Sequence, residues 1–316
     1  MITLRICLFG KFSAKANEMP VGGLESSKVQ ELFCYLLCHR DRPHSRERLA
    51  DVLWNYCQFS LSRKYLRQAL WQLQTALNAI YPCKPLPFLD IESDWIQLRS
   101  HENLWIDVAE FERAFCFCEN RLTGELNDSQ AKTLRDALDI YKGELLEGYY
   151  TDWCLYERER LNGIYLTALY KLMSYCESHR EWENGIQTGH CILRRDRASE
   201  RTHQQMMRLY YLTGDRTASL RQYLQCCEAL DEELGVKPSK ATSLLYEQIR
   251  ADSYEIAPPE DAPSAVLPET QPDEATDILK FLLNLQESLR NLQRQVEKGI
   301  KSVESAICGQ KTADRN

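Results

Sequence analysis

The chain has 316 residues, of which 44% are hydrophobic, and a formal net charge of −7. This length suffices for two or three domains with real cores. The sequence has no apolar run of roughly 18–20 residues, which excludes the pattern of a membrane-spanning helix. The 13 cysteines form no Cys-x-x-Cys pair, so we interpret them as small core residues of a cytoplasmic protein, with a metal or redox role as the alternative.

The net charge is unevenly distributed. Residues 1–105 carry 13 Lys/Arg and 10 Asp/Glu, whereas the remainder has a net charge of −10. The stretch from Arg40 to Arg67 is the most basic, with seven basic and three acidic residues. A modestly basic N-terminal domain joined to an acidic body is compatible with nucleic-acid binding by the first part alone.

The N-terminal segment MITLRICLFGKF alternates apolar and polar residues over 2–9 and predicts a strand rather than a signal peptide. Short extended pieces follow near 12–14 and 19–21. A helix is predicted over 27–38, and Ser45 is the expected N-cap of the next, short helix. Ser60 or Ser62 is expected to cap the helix after that.

Prolines at 82, 85 and 87 end this helical region, and 88–91 and 95–98 predict a hairpin around Glu92, Ser93 and Asp94. A strand-rich start, three helices and a terminal hairpin are the order of a winged helix, in which the hairpin is the wing. The region therefore predicts a winged helix-turn-helix domain over 1–105.

The third helix carries two distinct faces. On a helical wheel Leu66, Leu70, Leu73 and Leu77 form the core face. The opposite face and its edges hold cationic, amide and aromatic side chains that suit phosphates and base edges. These are the candidate DNA-binding residues Arg63, Lys64, Arg67, Gln68, Trp71, Gln72 and Thr75. The alternatives are an ordinary solvated helix face and, for Trp71, a protein partner.

From 107 to about 252 the pattern is helical, with helices predicted over 107–119, 128–142, 152–177, 181–194, 199–213, 215–233 and 239–251. A repeat with an offset of 34 residues aligns Leu172 with Met206 and Gly185 with Ser219. This period predicts tetratricopeptide-like helix pairs, in which small residues permit close crossing. Gly235 is expected to end one helix as its C-cap.

The remaining residues divide into two predicted segments. Residues 253–276 are rich in proline and acidic side chains and predict a disordered linker. Residues 277–308 carry apolar residues in 4-3 spacing, which predicts an amphipathic coiled-coil-like helix and hence a homodimer or higher homo-oligomer. Additional apolar residues and Gly299 leave open that this helix packs on the body of its own chain.

Three stretches carry a family resemblance: LRQALWQLQTAL at 66–77, LWIDVAEFERA at 104–114, and YKGELLEGYYTDWCLYERERL at 141–161 together with 206–249. They resemble the bacterial transcriptional activator domain proteins of the Streptomyces antibiotic regulatory protein class, over about residues 1–252. The resemblance implies a winged helix followed by a helical repeat domain, binding to promoter DNA and recruitment of RNA polymerase holoenzyme.

Two departures from the family pattern affect the expected DNA contacts. Gln72 and Gln74 stand where family members often have arginines, and the wing tip at Glu92–Asp94 is acidic. No Gly-x-x-x-x-Gly-Lys-Ser/Thr loop is present, so nucleotide control is not expected. The sequence also lacks a nucleophile elbow, a metalloprotease motif and a dinucleotide fingerprint, and the histidines are interpreted as structural.

The sequence therefore predicts a mainly α protein with a small β component. The predicted parts are a winged helix (1–105), a bacterial transcriptional activator domain of tetratricopeptide-like helices (106–252), a linker and a C-terminal helix. The predicted function is that of a sequence-specific, DNA-binding transcriptional regulator, most simply an activator. We expect no enzymatic activity, cofactor, metal or membrane partner. The alternative is a helical-repeat interaction scaffold with a degenerate winged helix.

Overall fold

The structure of the protein is a computed structural model that describes residues 3–56, 58–80, 88–119 and 126–254. The predicted linker beyond residue 254 and the predicted helix over 277–308 lie outside the described residues. Within the described ranges, none of the helices combines the length and the apolar character that crossing a membrane requires.

The chain begins with a four-stranded sheet in the order β3-β2-β1-β7. Its strands are β1 (Leu4–Cys7), β2 (Ser13–Ala16), β3 (Met19–Pro20) and β7 (Leu104–Ile106). Leu4 and Ile6 are fully buried because alternate residues of a strand face the core. The alternation of apolar and polar residues at the N-terminus thus predicted the strand correctly. It did not predict that this strand pairs in parallel with β7, which follows almost a hundred residues later in the chain.

Three helices follow, namely α1 (Ser27–Cys38), α2 (Arg46–Leu53) and α3 (Phe59–Ile80), with the short strand β4 (His44–Ser45) before α2. The predicted cap of α2 is confirmed, since the Ser45 side chain accepts a hydrogen bond from the Arg48 amide at 3.2 Å. The predicted cap of α3 is wrong. The helix already starts at Phe59, so Ser60 and Ser62 lie within its first turn, where Ser62 is buried.

The predicted hairpin is confirmed as β5 (Leu89–Ile91) and β6 (Trp95–Leu98). With β4 it forms a second sheet in the order β4-β6-β5. The Glu92 amide donates to the Trp95 carbonyl at 2.9 Å and closes the turn. Its turn contacts the start of α2, since the Arg46 guanidinium donates to the Glu92 carbonyl at 2.9 Å, and it lines a groove together with α3, as a wing does.

Seven helices make up the rest of the described chain: α4 (Asp107–Glu119), α5 (Asp128–Ile140), α6 (Asp152–Ser178), α7 (Trp182–Leu193), α8 (Glu200–Leu212), α9 (Arg216–Leu234) and α10 (Lys240–Arg250). The predicted helix-pair architecture and the mainly α fold class are confirmed. A Cβ at Gly185 would lie 2.8 Å from the Leu209 Cδ1 atom and 3.3 Å from the Cys176 Cβ atom, so these side chains would have to shift at the close crossing to admit one. Gly235 caps α9 with a φ of 65°, as predicted.

The winged helix and the first part of the helical region share one hydrophobic core, which extends from Leu4 to Leu161. The segment between α5 and α6 continues the backbone pairing of β1. The Leu146 amide donates to the Leu8 carbonyl at 2.8 Å, and the Gly10 amide donates to the Glu144 carbonyl at 2.7 Å. The helical prediction did not anticipate this pairing.

Hydrogen bonds of charged side chains reinforce the junction between the winged helix and the helical region. The Asp107 carboxylate accepts hydrogen bonds from the Leu8 and Phe9 amides at 2.8–2.9 Å. Glu112 on α4 accepts from Arg40 after α1 at 2.6 Å and from Arg160 on α6 at 2.5 Å. These contacts tie the first sheet, α1, α4 and α6 together.

Candidate nucleic-acid interface

Helix α3 is anchored in the core by one face, as its leucine spacing predicts. Leu66, Leu70, Leu73 and Leu77 are each no more than 3% exposed. Leucines at this spacing line one side of a helix, which leaves the opposite side to solvent. The anchoring therefore fixes which side chains of α3 face outward.

All seven candidate DNA-binding residues reach solvent. Arg63, Lys64, Arg67, Gln68, Trp71 and Thr75 are exposed and Gln72 is half-buried. Lys64 and Thr75 are separated by about 16 Å along the helix axis. Trp71 is 65% exposed, an unusual position for a large apolar ring. The Thr75 hydroxyl donates to the Trp71 carbonyl at 2.8 Å, so its proton is already engaged within the helix.

The three cations on α3 have different surroundings. Neither Lys64 nor Arg67 forms an ion pair with any residue of the described ranges. Arg63, by contrast, is ion-paired with Glu47 at the start of α2, with 47% and 63% of the two side chains exposed. Lys64 and Arg67 thus offer charge to an external anion, whereas Arg63 already faces a carboxylate.

A groove of about 580 Å³ separates α3 from the start of α2 and the wing. We call it the wing groove, and its lining is Ser45, Arg46, Glu47, Arg63, Leu66, Arg67, Ser93, Asp94 and Trp95. Three of these residues are arginines and two are acidic, so the groove carries a small positive excess. This charge favours an anionic ligand.

Arg46 fixes the wing to the start of α2. Its guanidinium donates to the Glu92 carbonyl at 2.9 and 3.2 Å, and its amide donates to the Asp94 carbonyl at 3.0 Å. Trp95 on β6 is 48% exposed beside this contact. The sequence did not predict that Arg46, Glu47 and Trp95 belong to this surface. The one available signal was for Arg46, which directly follows the capping residue Ser45.

Two histidines lie at the junction behind this surface. The His44 Nε2 atom lies 3.0 Å from the His39 carbonyl oxygen. The His39 ring stacks on Tyr35 at 4.3 Å, and its Nε2 atom lies 3.5 Å from the Glu157 carboxylate. Burial lowers the pKa of both histidines below the ordinary value of 6.5, which favours their neutral forms.

The described residues offer neither a cluster of metal ligands nor, at Cys154 and Cys226, a reactive thiol. No group of three or more His, Cys, Asp or Glu side chains within it is placed to hold a metal ion. Burial raises the pKa of the Cys154 thiol to about 11 and that of Cys226 to about 12. Such thiols remain protonated at neutral pH and behave as core residues.

The chain is similar to one family of known proteins and, in its fold, to a solved structure. Residues 106–250 match the family model of the bacterial transcriptional activator domain. Among solved structures, the chain is similar to Mycobacterium tuberculosis EmbR in complex with a low affinity phosphopeptide, with a TM-score of 0.68 and 18% sequence identity. That similarity covers 81% of this chain and 67% of the EmbR chain and concerns the fold. No curated protein matches the chain by sequence.

Proposed function

We propose that this chain, whose residues 106–250 match the bacterial transcriptional activator domain, is a regulator of transcription that binds promoter DNA in the cytoplasm. The DNA-binding part is the winged helix of residues 1–105, and α3 is its recognition helix. The observation that carries this proposal is the outward stripe of α3, where Lys64, Gln68 and Trp71 are exposed above a leucine face that is fully packed.

The recognition helix enters the major groove, since a helix with its side chains matches that groove in width. Gln68 and Gln72 can each offer a donor and an acceptor to adenine, and Lys64 can bind a guanine edge or a phosphate. Arg67 lies at the edge of the stripe and suits a backbone phosphate. Trp71 contributes an apolar surface to a base or sugar.

The helical region of residues 106–252 is the effector platform that recruits RNA polymerase holoenzyme. Two observations support this part of the proposal. The platform is acidic whereas the winged helix is basic, and the two are joined by a buried contact at Asp107 and a partly buried one at Glu112. A polymerase bound by the platform would therefore be held in a fixed orientation relative to the DNA. The predicted homo-oligomer through 277–308 remains part of the proposal.

The DNA-binding proposal is tested on the full chain with Lys64→Ala, Arg67→Ala and Gln68→Ala, each measured separately. A lost phosphate contact weakens binding to all sequences alike and flattens the salt dependence by about one unit. A lost base contact costs about 1–3 kcal/mol and relaxes one position of the site. Lys132→Ala on α5 is the control, because it removes an exposed positive charge outside the winged helix.

A second function, an interaction scaffold with a degenerate winged helix, is favoured by the acidic wing tip at Glu92 and Asp94. Such carboxylates repel phosphates near the wing. The same experiment separates the two functions. If the three α3 variants bind every duplex as the wild-type and Lys132→Ala proteins do, α3 is not the recognition helix and the scaffold is the better account.

A further inference from the structure

The wing groove places two arginines on its α3 wall. Arg63 and Arg67 are four residues apart, which separates them by roughly 6 Å along the helix axis. Both are exposed, and both line the groove. Arginine binds phosphate oxygens through two parallel N–H donors, so this wall has the chemistry of a phosphate site.

The opposite wall places a carboxylate where a phosphate would bind. Glu47 lies at the start of α2 and is ion-paired with Arg63. Because both partners are about half exposed or more, water screens the pair and its net stabilisation is small. An ion pair of this kind exchanges readily for another anion, although the carboxylate still repels that anion at short range.

The walls of the groove are held in place independently of this pair. Arg46 binds the wing turn through the Glu92 carbonyl, and Leu66 on the floor belongs to the buried core. Breaking the Arg63–Glu47 contact therefore removes the carboxylate from the Arg63 guanidinium and leaves the walls of the groove in place. The groove is therefore preformed, and another anion can replace the Glu47 carboxylate in the ion pair.

Resting on the proposed DNA-binding function, we propose that the wing groove is a subsite for a backbone phosphate of DNA and that Glu47 competes with this phosphate for Arg63. On binding, the Arg63 guanidinium exchanges the Glu47 carboxylate for a phosphate oxygen, while Arg67 binds the same phosphate or its neighbour. Glu47 thereby lowers the affinity for all DNA and leaves sequence preference to the outward stripe of α3.

The test is Glu47→Gln in the full chain. The probes are a duplex that the wild-type protein selects from a random-sequence pool and a scrambled duplex of the same composition. We expect both to bind more tightly by a similar factor of roughly three to ten, because an exposed ion pair and a like-charge repulsion are both removed. The salt dependence should steepen by about one unit, because the surface that faces the DNA phosphates gains one net positive charge.

Two further variants make the result specific. Asp51→Asn removes a negative charge from the exposed face of the same helix α2, outside the groove, and should change the affinity much less. Arg63→Gln should abolish the effect, so that Glu47→Gln tightens binding only when Arg63 is present. Melting temperatures of all variants verify that each remains folded.

Three results overturn the subsite: Glu47→Gln binds no more tightly than Asp51→Asn, it weakens binding to the selected duplex, or its gain persists with Arg63→Gln. The second of these would mean that Glu47 orients Arg63 for a base contact. If the wild-type protein selects no duplex and binds none above the background, the DNA-binding function itself is refuted together with the subsite.

Discussion

Asp107 is the residue whose loss should most weaken the junction between the winged helix and the helical region. Its carboxylate accepts from the amides of Leu8 and Phe9 at 2.8–2.9 Å and from that of Val108 at 2.7 Å. Burial raises the pKa of this carboxyl above the ordinary value of 3.8, and the three N–H donors oppose that rise. The carboxylate is thus tolerated in the core because these donors surround it.

Replacing Asp107 with alanine would leave three amide donors of buried residues without an acceptor. Each such loss costs about 1–3 kcal/mol. Because the three share one acceptor, we expect a total of about 4 kcal/mol, the range found when one partner of a buried charged contact is removed. Asp107→Asn keeps one carbonyl oxygen and should cost about half as much.

Urea unfolding of the full chain measures this cost directly. Glu102→Ala is the matched control, since it removes an exposed carboxylate five residues earlier and should change the free energy of unfolding by less than about 0.5 kcal/mol. A loss below about 1 kcal/mol for Asp107→Ala would refute the reasoning, because it would mean that water replaces the carboxylate without penalty.

Two further predictions concern stability. Gly185→Ala should lower the free energy of unfolding by about 1–3 kcal/mol, since the new Cβ would lie 2.8 Å from Leu209 Cδ1 and 3.3 Å from Cys176 Cβ. The control is Gly163→Ala on α6, where a new Cβ would contact nothing. This variant should raise the free energy of unfolding by up to about 1 kcal/mol. Equal effects of the two alanines in urea unfolding would contradict the crossing geometry. Burial lowers the pKa of His39 and His44 in the folded protein. The two neutral imidazoles therefore contribute fully to stability above pH 6.5, the ordinary pKa of histidine. This contribution is lost as the pH falls through their lower pKa values in the folded state. The melting temperature should therefore fall between neutral pH and about pH 5. It should fall less steeply in a variant with both histidines changed to Gln. If the wild type and this variant lose melting temperature equally with pH, these residues are not the cause.

Helical periodicity carried most of the fold prediction. Both bounds of α1 and the start of α4 were predicted to the residue, because an apolar stripe starts and stops where the helix meets and leaves the core. The cap of α3 was not predictable in this way. Serine is favoured at an N-cap, but it also fits a crowded core position, and the burial of Ser62 decided between the two.

The candidate site was predictable only where it lies on one helix. The outward side chains of α3 follow from its leucine spacing, because both faces belong to the same 3.6-residue period. The Arg63–Glu47 pair joins two helices whose residues are 16 apart in sequence, and nothing in their local pattern indicates the contact. The same holds for Asp107 and Leu8, which are 99 residues apart.

The shared core has a consequence for how such regulators can be recombined. Glu112 binds Arg40 and Arg160 at once, and Glu31 of α1 accepts from the Trp153 indole N–H at 3.2 Å. In a chimera joined at residue 105, these side chains would face residues of another protein and would lose their hydrogen-bond partners. A transplanted winged helix therefore needs α4, α5 and about the first three turns of α6 to accompany it, so the natural unit of exchange between relatives is longer than the winged helix alone.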